Sequence, residues 1–376
     1  MRVLYKVPMG NAEIEPVGLA YMRLLIAGKH TIIAEGYQIP LMQTLLPEGE
    51  FEVKDNDNWD IIIDHTLHTL VPAVDIEEKE VADGADTVYP KPTVIVSSLL
   101  TNQLPTTMVN ALNNAKGIIV PSASIAEVYS NTEGLNVDVG AITPGFFPDA
   151  GVVKPMVKPL PASLDGKKIF IASGFGSVLD NFKPIVTAYY QLAKSLTDTV
   201  LVLGVDSALA NPGAPLSVIE EVKKELSYKA EQYAPIHMYD ASVDALTSAS
   251  YYSNSIAYIS MSHGDVWGYG LRLAARSGLP LITTGLRQDF CQQGLVAYAD
   301  EVPVFPLHEY GYDPMSMHWN TVSHQDLVAS MKAVYENEDG LREKMISDTA
   351  DAVSKEHAAF QENADRLTAF MENIIK

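Results

Sequence analysis

The sequence predicts an α/β protein built from two Rossmann-like domains, and three observations carry that prediction. Short apolar runs of β-prone residues alternate with helically spaced stretches along the chain. The alternation stops at 152–162, a patternless stretch with three prolines and two lysines, and restarts at Lys167-Lys168 and the β-run Ile169–Ala172. Finally, Tyr258–Ile282 reads as strand, Gly-rich turn, short helix, tight turn and second strand, a unit of a parallel sheet whose turn lies at the carboxyl edge where ligands bind. The expected division is a first domain at 1–155, a second at 156–356 and a terminal helix at 357–376.

The elements follow in order. Arg2–Val7 alternates and breaks at Pro8 and Gly10, a strand and a loop. Val17–Ala27 has helical spacing, and Thr31–Glu35 is the next strand. Trp59–His65 is a buried strand with a polar end, and Thr93–Ser97 is another. Thr106–Asn113 reads as a helix closed by Gly117, followed by a strand at Ile118–Val120. Ser122 or Ser124 caps a helix at Ile125–Ser130. Val137–Ile142 is a short strand. Beyond the linker come a helix at Pro184–Leu196, a strand at Thr199–Gly204, a helix at Val218–Glu231, a strand at Ile236–Tyr239 and a helix at Ser242–Tyr252. Within the opening stretch, Ala257–Ser260 is a strand, Leu271–Arg276 a helix ended by Ser277-Gly278, and Leu279–Ile282 a strand. Pro303–Pro306 is a late strand, 308–318 a polar, aromatic loop, and Leu327–Glu336, Leu341–His357 and Phe360–Ile375 are helices.

Composition narrows the function. The chain has 376 residues, 47% hydrophobic and 19% charged, which is globular and long enough for two domains. A net charge of −21 argues against nonspecific binding to nucleic acid or to an anionic membrane. The acidic run Asp75–Asp86 reads as a solvated segment. The single Cys291, a buried thiol before it is a nucleophile, fits a reducing compartment. No apolar run is long enough to span a membrane. The first residues read as strand and turn and not as a signal peptide, so the expected location is cytoplasmic. Neither a Cys/His cluster nor an Asp-x-Asp at a strand end suggests a metal site.

The stretch Ser262-His263-Gly264-Asp265-Val266-Trp267-Gly268-Tyr269-Gly270-Leu271-Arg272-Leu273-Ala274-Ala275-Arg276-Ser277-Gly278-Leu279-Pro280-Leu281-Ile282 resembles the nucleotide-binding segment of GT-B retaining glycosyltransferases. These are the family 4-like proteins (glycosyl transferases group 1), the large group that includes sucrose and glycogen synthases. Their segment reads Ser-x-x-Glu-Gly-Trp/Phe-Gly-Leu-Pro-x-x-Glu-Ala-Met-Ala-x-Gly-x-Pro-Val-Ile, and the spacing holds without a gap. Fainter resemblances follow at Leu104–Ser122, at Gly145–Asp149 and at Ala359–Leu367, which is similar to the family's terminal Trp-x-x-x-Ala-x-x-Leu. The family implies two Rossmann-like domains facing across a cleft, with the last helix crossing back to the first domain.

The resemblance also implies chemistry. A sugar would pass from a nucleotide-sugar donor, UDP- or GDP-linked, to an acceptor hydroxyl, with retention of configuration and without a metal. No other cofactor is expected, and the acceptor stays open among glycan, lipid, protein and modified nucleotide. His65, ending its strand, matches the histidine that faces the reacting sugar; the bland alternative is a histidine bonded to its own loop. Gly10 and Asn11 match the first loop on the acceptor side, or form a surface turn. Asp265 stands for the first glutamate, which contacts the donor sugar, or caps the next helix. Trp267 is core or a wall for the sugar. Gly268, Tyr269 and Gly270 open a helix whose N-terminus, with Arg272 in its first turn, suits a phosphate. Gly174 and Gly176, in the turn after Ile169–Ala172, suit a diphosphate.

The pattern departs from the family in three places. The second glutamate, which holds the donor's ribose, is Leu273. The loop around Gly176 has no arginine, and the lysine position falls on Asp180, leaving Lys183 or Arg272 as substitutes. A glycosyltransferase is therefore the first reading. A GT-B-like binding or scaffold protein without catalysis is the second, and another GT-B activity, a sugar-nucleotide epimerase or phosphorylase, the third.

Overall fold

The computed structural model describes residues 1–6, 14–35, 42–43, 46–52, 58–65, 91–97, 104–145, 159–174, 180–205, 214–241, 245–263, 267–284, 290–291, 294–296, 298–303 and 318–376. Residue contacts divide the chain into two units. One is Met1–Asp149 with Pro303–His318 and Glu356–Lys376; the other is Ala150–Val302 with Trp319–Lys355.

In the first unit the strands are β1 (Arg2–Lys6), β2 (Thr31–Glu35), β3 (Glu50–Phe51), β4 (Ile61–Asp64), β5 (Thr93–Val96), β6 (Gly117–Val120) and β7 (Asp138–Ala141). Among the described residues they form one parallel sheet in the order β3-β2-β1-β4-β5-β6-β7. Its central strands are buried throughout: Ile61–Asp64 and Thr93–Val96 are buried at every position, with Asp64 and Thr93 their only polar residues. A parallel sheet covered on both faces demands that. The covering helices are α1 (Ile14–Ala27), α2 (Thr106–Leu112) and α3 (Ala123–Ser130), the last capped by Ser122, whose hydroxyl accepts from the Ile125 amide.

The chain's last helix, Phe360–Ile375, also belongs to this unit. Its Ala364, Leu367 and Met371 share a core with Val3, Tyr5, Leu24 and Leu25. That packing corrects one sequence expectation. Gly117 does not close a helix: the helix ends at Leu112 with Asn113 as its cap, and Gly117 opens β6. A Cβ there would lie 2.9 Å from both Phe370 and Ile374, and one on Gly140 of the neighbouring strand 3.0 Å from Phe370. Both glycines make room for the last helix.

The second unit repeats the plan. Its strands are β8 (Lys168–Gly174), β9 (Thr199–Val205), β10 (Ile236–Asp240), β11 (Ser255–Ser260), β12 (Leu281–Thr284) and β13 (Leu295–Val296). Among the described residues they form a parallel sheet ordered β10-β9-β8-β11-β12-β13. The helices are α4 (Phe182–Leu192), α5 (Ala214–Leu226), α6 (Ala245–Ser253) and α7 (Tyr269–Arg276). The helix expected at Val218–Glu231 stops at Leu226, where Ser227 takes a positive φ of 50° and breaks the repeat. A two-stranded sheet of β14 (Tyr298–Pro303) and β15 (His318–Val322) precedes α8 (His324–Glu336) and α9 (Leu341–Ala358), and Phe360–Ile375 is α10.

Both sheets therefore run outward from their first strand and then reverse. In the first unit the reversal lies between β1 and β4, in the second between β8 and β11. The carboxyl ends of those strand pairs are the two crevices in which such sheets bind ligands.

Candidate functional site

His65 is the residue after β4, at the first crevice. Its amide donates to the Lys6 carbonyl at 2.9 Å, extending the pairing of β1 with β4 by one step. The side chain is 2% exposed, and its Nδ1 is 3.1 Å from the Tyr5 hydroxyl. The rings of Tyr5 and Tyr21 meet the imidazole nearly edge-on, at interplanar angles of 79° and 83°. Tyr21 is itself fixed, because its hydroxyl donates to the Ile142 carbonyl at 2.8 Å and burial pushes its pKa far up. The imidazole is thus held by two tyrosines, one from β1 and one from α1. Neither was singled out in the sequence, since both read as ordinary apolar positions of their elements. Gly10 and Asn11 lie outside the described residues.

The second crevice is built around Gly174, the last residue of β8. A Cβ there would fall 2.2 Å from the carboxylate of Asp180, which is 7% exposed. The side chain that fills the space at this glycine is the protein's own carboxylate. Asn181 follows in the left-handed conformation, φ 51°, and its Nδ2 donates to the Met261 carbonyl at 2.9 Å. That bond ties the entry of α4 to the end of β11, across the reversal. Gly176 lies outside the described residues.

Lys183 does not serve this crevice in the structure. Its Nζ bonds Glu221 and Glu225 of α5, each at 2.7 Å. Burial alone would lower its pKa, but the two carboxylates outweigh it and raise it. As the second residue of α4, Lys183 reaches across to the neighbouring helix α5.

Past β11, Gly268 has φ 70°, a conformation glycine adopts readily, and precedes α7. Arg272 sits in the first turn, its amide donating to the Gly268 carbonyl at 2.8 Å. The guanidinium is 5.2 Å from the Trp267 ring centre and 4.7 Å from that of Phe290, and the residue is 5% exposed. Trp267, 4% exposed, is thus core and a platform for a cation at once. Gly270 packs on hydroxyls: a Cβ would lie 2.4 Å from the Tyr258 oxygen and 2.9 Å from that of Ser173. Ser173 bonds both Tyr252, at 2.9 Å, and Tyr258, at 3.1 Å, so three hydroxyls underlie the first turn of α7. Gly278, φ 74°, ends the helix. Asp265 and the side chain of Tyr269 lie outside the described residues.

The structure thus gathers Gly174, Trp267, Gly268, Gly270 and Arg272 around the second reversal, sets His65 at the first, and leaves Lys183 on another helix. In the second unit, the helix N-terminus and a buried arginine favour negative charge.

Family models and curated proteins give no match to this chain. Solved structures do. A UDP-forming α,α-trehalose-phosphate synthase from Burkholderia vietnamiensis matches with a TM-score of 0.64 and 9% identity, covering 100% of this chain and 97% of that one. The trehalose-6-phosphate synthase of E. coli bound with UDP-2-fluoro glucose gives 0.61 and 11%, covering 100% and 99%. Another trehalose-6-phosphate synthase structure, OtsA, gives 0.62 and 9%, covering 100% and 99%.

Proposed function

We propose, for a chain whose fold is that of the GT-B glycosyltransferases, that it transfers a sugar from a nucleotide-sugar donor to an acceptor hydroxyl, with retention of configuration and without a metal. What supports the reading is the coincidence of motif and topology: His65 follows β4, Gly174 ends β8, and the Trp267–Arg272 segment follows β11, strands that flank the two reversals. The spacing of Ser262–Ile282 favours the family 4-like group within the fold. A UDP-linked donor is favoured over a GDP-linked one because a protein of similar fold was solved with UDP-2-fluoro glucose.

In this reading His65, oriented by Tyr5 and Tyr21, hydrogen-bonds a hydroxyl of the reacting sugar. Asp265 accepts from another. The N-terminus of α7 and Arg272 stabilise the charge that develops on the leaving diphosphate, and Gly176 lets the backbone approach it, whereas the space at Gly174 is taken by Asp180. Gly10 and Asn11 line the acceptor side. The acceptor is a glycan, lipid, protein or modified nucleotide, and the work is done in the cytoplasm.

One observation favours a second reading, a binding or scaffold protein that has lost catalysis. The family's lysine position holds the buried Asp180, and the nearby Lys183 is engaged by Glu221 and Glu225. A thermal-shift panel of nucleoside diphosphates and nucleotide sugars, with and without divalent metal, separates the two. A ligand at a hundred times its dissociation constant stabilises the fold by about 2.7 kcal/mol. A metal-independent shift with one nucleotide that is lost in Arg272→Ala and Asp265→Asn supports the transferase. A panel with no shift supports the scaffold.

A further inference from the structure

His263 has no part in the reading above, yet it stands three residues past the end of β11, at the second reversal. Its ring lies flat on Trp319 of β15, with centroids 4.7 Å apart and planes within 8°. Trp319 is 5% exposed and His263 is half-buried, so the stack covers one face of the imidazole and leaves its ring nitrogens, which lie in the ring plane, clear of the tryptophan. The backbone beneath is fixed as well, because Asn181 holds the Met261 carbonyl two residues earlier. Burial lowers the pKa of the ring to about 4, so it is uncharged at neutral pH.

A neutral imidazole offers one donor and one acceptor, fixed in position by the stack. A phosphate gains most from a cation or from converging N–H groups and nothing from the acceptor nitrogen. A sugar hydroxyl both donates and accepts, and it matches such an edge. We propose that His263 is a specificity residue of the donor site, an imidazole set on Trp319 that hydrogen-bonds a hydroxyl of the transferred sugar and makes no bond to the nucleotide. This rests on the donor reading of the second crevice.

The test compares the full-length wild type with His263→Ala by calorimetry, using UDP-glucose, UDP, GDP-mannose and GDP as probes. The expected result is a loss of about tenfold in affinity for the nucleotide sugar that binds, the worth of one good hydrogen bond, and less than about twofold for its bare nucleotide. Should the alanine variant fail to fold, His263→Phe, which keeps a flat ring on Trp319 and removes both nitrogens, gives the same comparison. In the wild type, the His263 ring resonances should move when the nucleotide sugar is added and stay when the nucleotide is added. Equal losses on both ligands, or no loss on either, would overturn the proposal while leaving the donor reading intact. Wild type that binds none of the four probes would overturn the donor reading and this proposal with it.

Discussion

Gly270→Ala sets two rules of stability against each other. On helix propensity alone, alanine in place of glycine in α7 should gain up to about 1 kcal/mol. The structure predicts the opposite sign. The new Cβ would sit 2.4 Å from the Tyr258 hydroxyl and 2.9 Å from that of Ser173. Neither can move aside freely, because Tyr258 is 2% exposed, stacks on Tyr252 and shares Ser173 with it. Overpacking of this kind costs about 1–3 kcal/mol, and breaking one of the hydroxyl bonds about 1 kcal/mol more. After the propensity gain the net loss is about 1–3 kcal/mol, or roughly 2–10 °C in Tm for a unit of this size. Urea unfolding of wild type, Gly270→Ala, Tyr258→Phe and the double variant checks it. Tyr258→Phe removes the oxygen that the Cβ strikes, so the double variant should recover at least about 1 kcal/mol relative to additivity. A Gly270→Ala protein as stable as wild type, or more so, would refute the packing argument.

Further predictions follow from the same geometry. Lys183→Met should leave nucleotide affinity within about twofold, since Nζ is already taken by two exposed carboxylates; a tenfold loss in a binding titration would return the lysine to the anion site. Tyr5→Phe should lower kcat more than it raises KM, as loss of orientation at His65 would, and a change confined to KM would make Tyr5 a mere packing residue. Stability should fall as the pH drops from about 6.5 to about 4. In that window the unfolded chain protonates His263 while the folded chain, with its ring at about 4, does not; above 6.5 neither state does, and below 4 both do. The full penalty is roughly 3 kcal/mol. His30, lowered to about 4 by burial and by the Met1 ammonium, adds to it in the same direction. Trp319→Leu should uncover His263 and shrink the loss, and a denaturation series across pH that shows no such difference counts against the burial of that ring.

Much of the frame could be read from the residues because it depends on local pattern. The Ile61-Ile62-Ile63 run ending in Asp64 and His65 announces a buried strand with a polar carboxyl end, and His65 does close the pairing of β1 and β4. The positive φ of Gly278 follows from the helix that it ends. What escaped depends on contacts distant in sequence. Gly117 looks like a helix stop, but its reason is Phe370 and Ile374 on the last helix. Lys183 sits near the loop in sequence, yet its partners lie 38 and 42 residues on, across a helix pair. Gly270 reads as a turn glycine; the structure makes it a packing glycine over Tyr258. His263 lay in the stretch first noticed, but nothing local names Trp319 as the surface that it rests on.

The central claim is sugar transfer from a nucleotide-sugar donor with retention, and proton NMR of the reaction tests it most directly. UDP-glucose is incubated with the full-length protein, alone and with candidate glycan, lipid and protein acceptors, and the anomeric signals are followed from the first minutes. The account predicts that free UDP accumulates and that the newly formed anomeric signal has the configuration of the donor, a reaction that His65→Ala slows strongly. An inverted anomer, or release of UDP that His65→Ala does not affect, would contradict it.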